Sequence, residues 1–149
     1  MYDLVRRRLN EIIPLNKLLG IEIVSIGDGV AEARLPFRDD LTNHMGTMHA
    51  TAIFGLAEAA SGCAMSGAFV PIILRIRAVA VTATAKFSKI ARGDLIARAR
   101  VLGESGALQE TLAAAGRVQF DVQVSVLDPA GAEIGELTVA WQVSSKPAK

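Results

Sequence analysis

Residues 47–65, TMHATAIFGLAEAASGCAM, constrain the fold more than any other stretch. Alanine and leucine-type residues favour a helix there. Ala50, Ala52, Ile53, Phe54, Leu56, Ala57, Ala59 and Ala60 make that helix apolar nearly all round. Such a helix must be covered on most sides. The chain that follows supplies the cover. Residues 76–88, 95–102, 117–127 and 134–144 alternate apolar and polar side chains, the period of strands with one wet face. That pattern fits antiparallel strands, because buried parallel strands read as continuous apolar runs. The implied architecture is α+β, with a curved antiparallel sheet wrapped around one central long helix.

The rest of the chain fits this plan. Residues 3–13 form an amphipathic pattern that Pro14 stops. Residues 20–26 and 30–37 alternate, and Asp28-Gly29 between them is a hairpin turn. Residues 38–46 are a polar loop, 66–74 a Gly/Pro-punctuated connector, and ARGD at 91–94 a turn. Residues 103–116 are rich in Gly and Ala and read as a long loop or an irregular strand end. Asp128-Pro129-Ala130-Gly131 turns the last two strands. No linker or repeat interrupts the chain, so residues 1–149 are expected to form one domain.

Composition excludes several classes. Apolar residues make up 51% of the 149 and charged residues 21%, so the chain is globular. A net charge of +1 without a basic run leaves no nucleic-acid footprint. With Cys63 as its one cysteine, the chain cannot hold an internal disulfide, which suits a reducing compartment. The charged N-terminus is not a secretory signal. The longest uncharged runs, 41–57 and 59–74, contain polar or helix-breaking residues and are too short to span a membrane. A cytoplasmic protein is expected.

Glu58 is the sole acid between Asp40 and Asp94. A carboxylate on an apolar helix is costly unless paired or protonated. It either meets solvent, a backbone group or an arginine such as Arg75 or Arg77, or it is a buried base whose pKa burial has raised. Nine residues before it stands His49, the end of Asn43-x-x-Gly46-x-x-His49.

Together these residues resemble the hotdog-fold acyl-CoA thioesterases, in particular the phenylacetate-pathway type and a divergent, DUF4442-like branch. The resemblance covers nearly the whole chain. In that family an Asn-x-x-Gly-x-x-His loop leads into the helix that carries an Asp or Glu. Lys86-Phe87 through Gly93-Asp94 resembles the strand and hairpin that follow. The resemblance implies Glu58 as general base or nucleophile. It implies Asn43 and His49 beside the thioester, the alternatives being a loop turn residue for Asn43 and a structural histidine capping the helix for His49, and the backbone N–H of Ala50 as oxyanion donor at the helix N-terminus. Ala50-Thr51 replaces the usual Gly-Gly. Ala80, with Thr82 two residues on, stands where some relatives carry a strand hydroxyl. Thr47 is a candidate helix N-cap. Gly46, Thr82, Lys86, Lys89 and Arg92 are the candidate substrate-binding residues, the three cations suiting the phosphates of coenzyme A.

Ala50 and Glu58 are eight residues apart, roughly 12 Å along a helix at about 1.5 Å per residue. Both cannot touch one carbonyl, so the mechanism requires two antiparallel helices in a homodimer, or a dimer of dimers. No metal, redox cofactor or separate coenzyme is implied; coenzyme A enters as part of the substrate. Cys63 lacks a histidine at nucleophile spacing, and the chain has no G-x-S-x-G elbow. The rival readings are a non-catalytic acyl or small-ligand binding protein and a hotdog hydratase or dehydratase, for which an Asp before His49 is missing.

Overall fold

The computed structural model describes residues 1–147. Helix α1 spans Tyr2–Ile12. Pro14 does more than stop it: it occupies the first turn of a short second helix, α2, Pro14–Leu19. Proline's fixed φ and missing N–H suit that position. Strands β1 (Glu22–Gly27) and β2 (Val30–Leu35) form the expected hairpin. Gly29 takes φ +66° in the turn.

Helix α3 runs Ala50–Ala68, starting and ending later than the composition suggested. Its start is delayed because backbone bonds hold the preceding residues extended. Met48 N–H donates to the Ala91 carbonyl and His49 N–H to the Leu41 carbonyl, at 3.0 and 2.8 Å. A 3-10 turn, Val70–Arg75, then leads to β3 (Ile76–Phe87). Strand β4 is Leu95–Val101.

The expected loop at 103–116 is instead helix α4, Ser105–Ala115. Its alanines are strong helix formers, and tertiary contacts secure them. Leu112 is buried, and Gln109 donates to the Ala68 carbonyl at the end of α3, at 2.7 Å. Gly116 ends the helix with φ +76°. Strands β5 (Arg117–Leu127) and β6 (Glu133–Ser145) complete the chain.

All six strands form one antiparallel sheet in the order β1-β2-β4-β5-β6-β3. This is the hotdog arrangement, with α3 lying against the inner face from β1 to β6. Val118, Phe120, Val122, Val124 and Val126 of β5 and Leu137, Val139, Trp141 and Val143 of β6 form the inward rows. Burying each such side chain contributes about 1.5–3 kcal/mol. The small residues of α3 let it sit close. A Cβ on Gly67 would overlap the carbonyl oxygen of Gly27 in β1.

Strand β3 is different. It pairs with β6 along one edge and leaves the other open. It overhangs the helix, and most of its residues are exposed. Among the described residues no helix is long and apolar enough to cross a membrane.

Candidate active site

Helix α3 is buried along nearly its whole surface, with one open stripe. Past Ala50, its residues that are not buried are Thr51, Phe54, Gly55, Glu58 and Gly62. Their three- and four-residue spacing puts them on one face. Glu58 is therefore on the single strip that the protomer's own sheet leaves uncovered. Even so it is half-buried, and desolvation raises its pKa above the ordinary 4.5. Its carboxylate makes no hydrogen bond or ion pair among the described residues, and neither Arg75 nor Arg77 pairs with it.

The turn beneath Glu58 is braced. The indole N–H of Trp141 donates to Ser61 Oγ at 3.1 Å, and Ser61 donates to the Glu58 carbonyl at 2.7 Å. Cys63 is buried on the same helix. Burial first and the charge of Glu58 second push its thiol up to about 12. It is held as an unreactive thiol.

At the head of α3 the N-cap is His49, not Thr47. His49 Nδ1 accepts the Thr51 N–H at 2.9 Å. Thr47 is buried and instead braces the loop. Asn43 Oδ1 accepts the N–H groups of Met45 and Thr47 at 3.0 and 3.2 Å, and Asn43 Nδ2 donates to Thr47 Oγ1 at 2.9 Å. Asn43 is thus the organiser of the turn, which leaves its second Nδ2 proton uncommitted. Gly46 takes φ +73° in that turn, a conformation that glycine adopts freely. The Ala50 N–H has no acceptor among the described residues.

A cleft of about 310 Å³ opens here, between the 43–50 segment and residues 87–91. Asn43, Ala50 and Lys89 line it, with Met45, Phe87 and Ile90. Met45, Phe87 and Ile90 were not apparent as site residues from the sequence. Their signal is apolar exposure, 58%, 49% and 57%, which appears only in the folded chain.

Other expected residues fall elsewhere. Glu58 does not line this cleft. Thr82 is opposite Ala140, one step past a bulge between Ala80 and Thr82. The inward residues Val139 and Trp141 pair with Ala83 and Ala80 instead, so the bulge turns Thr82 to the outer row. Lys86 is also in the outer row, opposite Glu136 and 3.5 Å from it. Arg92 is exposed and outside the cleft, in the 88–94 segment, which crosses between β3 and β4, strands that do not pair with each other, and is not the hairpin that the resemblance implied.

Asp94 has a structural role. It accepts the Phe37 N–H at 2.8 Å and pairs with Arg34 at 2.7 Å, tying the start of β4 to the end of β2. The Phe37 N–H first and Arg34 second hold its carboxyl below the usual carboxylate range.

With this fold and arrangement, comparison with known proteins gives a consistent picture. The model of the family described as "Domain of unknown function (DUF4442)" matches residues 3–143, and the chain belongs to that family. No curated protein matches it. Among solved structures it is similar to a Pseudomonas aeruginosa protein of unknown function described as a probable thioesterase. The two are 25% identical, with a TM-score of 0.84 over 97% of this chain and 95% of that one. A thioesterase family protein from Silicibacter pomeroyi is 21% identical, with a TM-score of 0.79 over 98% of this chain and 100% of that one. The E. coli PaaI protein of the phenylacetic acid degradation operon shares the fold at 18% identity, with a TM-score of 0.74 over 96% and 91% of the two chains.

Proposed function

We propose that this protein hydrolyses acyl thioesters of coenzyme A or of an acyl carrier, in the cytoplasm, at two equivalent sites of a homodimer. One observation carries the reading. Glu58 is an unpaired, half-buried carboxylate on the single open stripe of α3, and the uncommitted Ala50 N–H begins the same helix. The open edge of β3 supports the assembly, since an unpaired strand edge is a template for a second copy. Antiparallel pairing of two such edges sets the two α3 helices antiparallel, with Ala50 of one protomer toward Glu58 of the other. A dimer of dimers is compatible with the same site.

In this reading the thioester carbonyl rests against the Ala50 N–H. Glu58 takes a proton from water, and the hydroxide adds to the carbonyl carbon. The oxyanion gains its hydrogen bond from Ala50 and from the positive end of the helix. The C–S bond then breaks, and the leaving sulfur takes the proton back from Glu58. The same placement serves direct attack by the carboxylate, followed by hydrolysis of the anhydride. Lys89 lines the cleft, with Lys86 on the adjoining strand and Arg92 on the connection to β4, where phosphates of the carrier would meet them.

The second reading is an acyl-binding protein without turnover. Asn43 favours it, because its carbonyl oxygen is wholly engaged in the turn. A panel of short, long and aryl acyl-CoAs, followed by thiol release, separates the two. Wild-type hydrolysis that falls about a hundredfold in Glu58→Gln supports the enzyme, on the usual scale of general-base effects. Saturable binding without turnover by wild type supports the second reading.

A further inference from the structure

A second cavity, larger than the cleft at the head of α3, lies elsewhere in the molecule. It is a groove of about 630 Å³ between α1 and the 70–75 turn. Leu4, Leu9, Ile12, Ile72, Ile73 and Leu74 line it. Leu4 and Leu74 are 69% and 85% exposed, which is costly for apolar side chains placed together. The volume falls within the roughly 300–1,000 Å³ of small-ligand sites, which are apolar with a few polar groups.

The charged side chains in the lining are those of Arg8 and Arg75, and among the described residues no acid lines the groove. Arg8 is 3.6 Å from Glu11 on the outside of α1, whereas the Arg75 side chain has no partner among the described residues. An apolar trough with two arginines in its lining complements an alkyl chain joined to an anionic head. The span from Leu4 to Ile12 is roughly 12 Å of helix. An extended chain covers about 1.2 Å per bond, taking roughly 3.3–3.6 Å per three-bond residue. The groove therefore holds about ten bonds of a straight alkyl chain.

Its place in the fold gives it a use. Residues 70–75 lead directly into β3, while residues 87–91, which line the cleft beside Ala50, follow its end. Antiparallel pairing of two β3 edges brings the start of one strand beside the end of the other. In the proposed dimer this pairing would set the 70–75 turn of one protomer beside residues 87–91 of its partner.

We infer that this groove receives the acyl chain, which makes medium-chain aliphatic acyl thioesters the substrate class. The inference rests on the thioesterase reading for its place in the reaction; the binding of an alkyl anion does not depend on it.

The test has two readouts. Binding of decanoate to the intact protein is measured by titration calorimetry. Hydrolysis of acetyl-, butyryl-, decanoyl- and phenylacetyl-CoA is measured as kcat/KM. Both are repeated on Leu4→Glu and Leu74→Glu, which change exposed residues and are checked by thermal melting, and on Arg75→Gln.

The expected result is one decanoate per protomer, bound at least tenfold more weakly by each variant. The ratio of decanoyl to acetyl kcat/KM should fall at least tenfold in the two glutamate variants. If wild type binds decanoate, loses it in the variants and hydrolyses no thioester, the groove stands as an alkyl-anion site and the enzymatic reading fails. Absence of decanoate binding, equal binding by the variants, or a change of oligomeric state in them overturns the inference, the last making the groove a contact between copies. A wild-type preference for phenylacetyl- or acetyl-CoA over decanoyl-CoA overturns the substrate class.

Discussion

The Nδ1 atom of His49 accepts the Thr51 N–H at 2.9 Å. That bond caps α3. It also consumes the second helical N–H and leaves the first, that of Ala50, uncommitted in a residue that lines the 310 Å³ cleft. The donor proposed for the oxyanion is therefore a consequence of how the helix is capped.

Ala50→Pro tests that donor. Proline suits the first helical position, because its φ is preset and it needs no acceptor there. The residue before it, His49, already has the extended backbone that a proline demands, φ −66° and ψ 138°. The variant should melt within a few degrees of wild type while kcat falls roughly 10²–10³-fold, the usual loss of one oxyanion donor. Ala50→Gly, which keeps the N–H, should retain most activity. Undiminished kcat in Ala50→Pro removes Ala50 from the mechanism.

Glu58 makes a pH-dependent prediction. Burial raises its folded pKa above the ordinary 4.5, so the folded state holds the proton more tightly than the unfolded chain. Ionisation then costs stability, beginning as pH rises past the unfolded value and complete above the folded one. Glu58→Gln removes this cost. Its melting temperature should match wild type in acid and exceed it at neutral pH. Activity of wild type should fall as pH drops through the raised pKa, because the base must be ionised. A variant less stable at pH 7 than at pH 4, relative to wild type, would contradict the burial argument.

Asp94 behaves in the opposite sense. Its folded pKa lies below 3.8, owing first to the Phe37 N–H and then to Arg34. The stability it contributes is present above the unfolded value and lost as pH falls through the folded one. Asp94→Asn should lower the melting temperature by a few degrees at pH 7. The gap should close in acid. Thermal melts across that range check the sign.

Gly67 and Gly106 make a paired prediction about the close approach of α3 to the sheet. Gly67→Ala forces a methyl group into the Gly27 carbonyl and should cost about 1–3 kcal/mol, as overpacked sites do. Gly106 is in α4, where an added Cβ meets nothing within 4 Å. Gly106→Ala should be neutral or stabilising by up to about 1 kcal/mol from helix propensity. Chemical denaturation of both variants measures the difference.

Much of the architecture is legible from residue order alone. The all-round apolar stretch near 47–65 demands cover, and four alternating segments supply it, because periodicity and hydrophobicity are local properties of the chain. The solitary acid Glu58 stands out in the same way. The start of α3 was decided elsewhere, by Ala91 and Leu41 accepting the backbone bonds of Met48 and His49. Helix α4 was hidden because Gly and Ala carry no amphipathic pattern; its order comes from docking Leu112 and Gln109. Thr82 illustrates the limit most clearly. Its residue type suits a site, but a single bulge after Ala80 moves it to the outer row, and strand parity is set by pairing with β6. The sequence by itself determined which segments are helix or strand and which acid is out of place. Only the tertiary structure decided which N–H is left free, which stripe of α3 stays open and where the large apolar groove lies, because each depends on contacts between segments far apart in the chain.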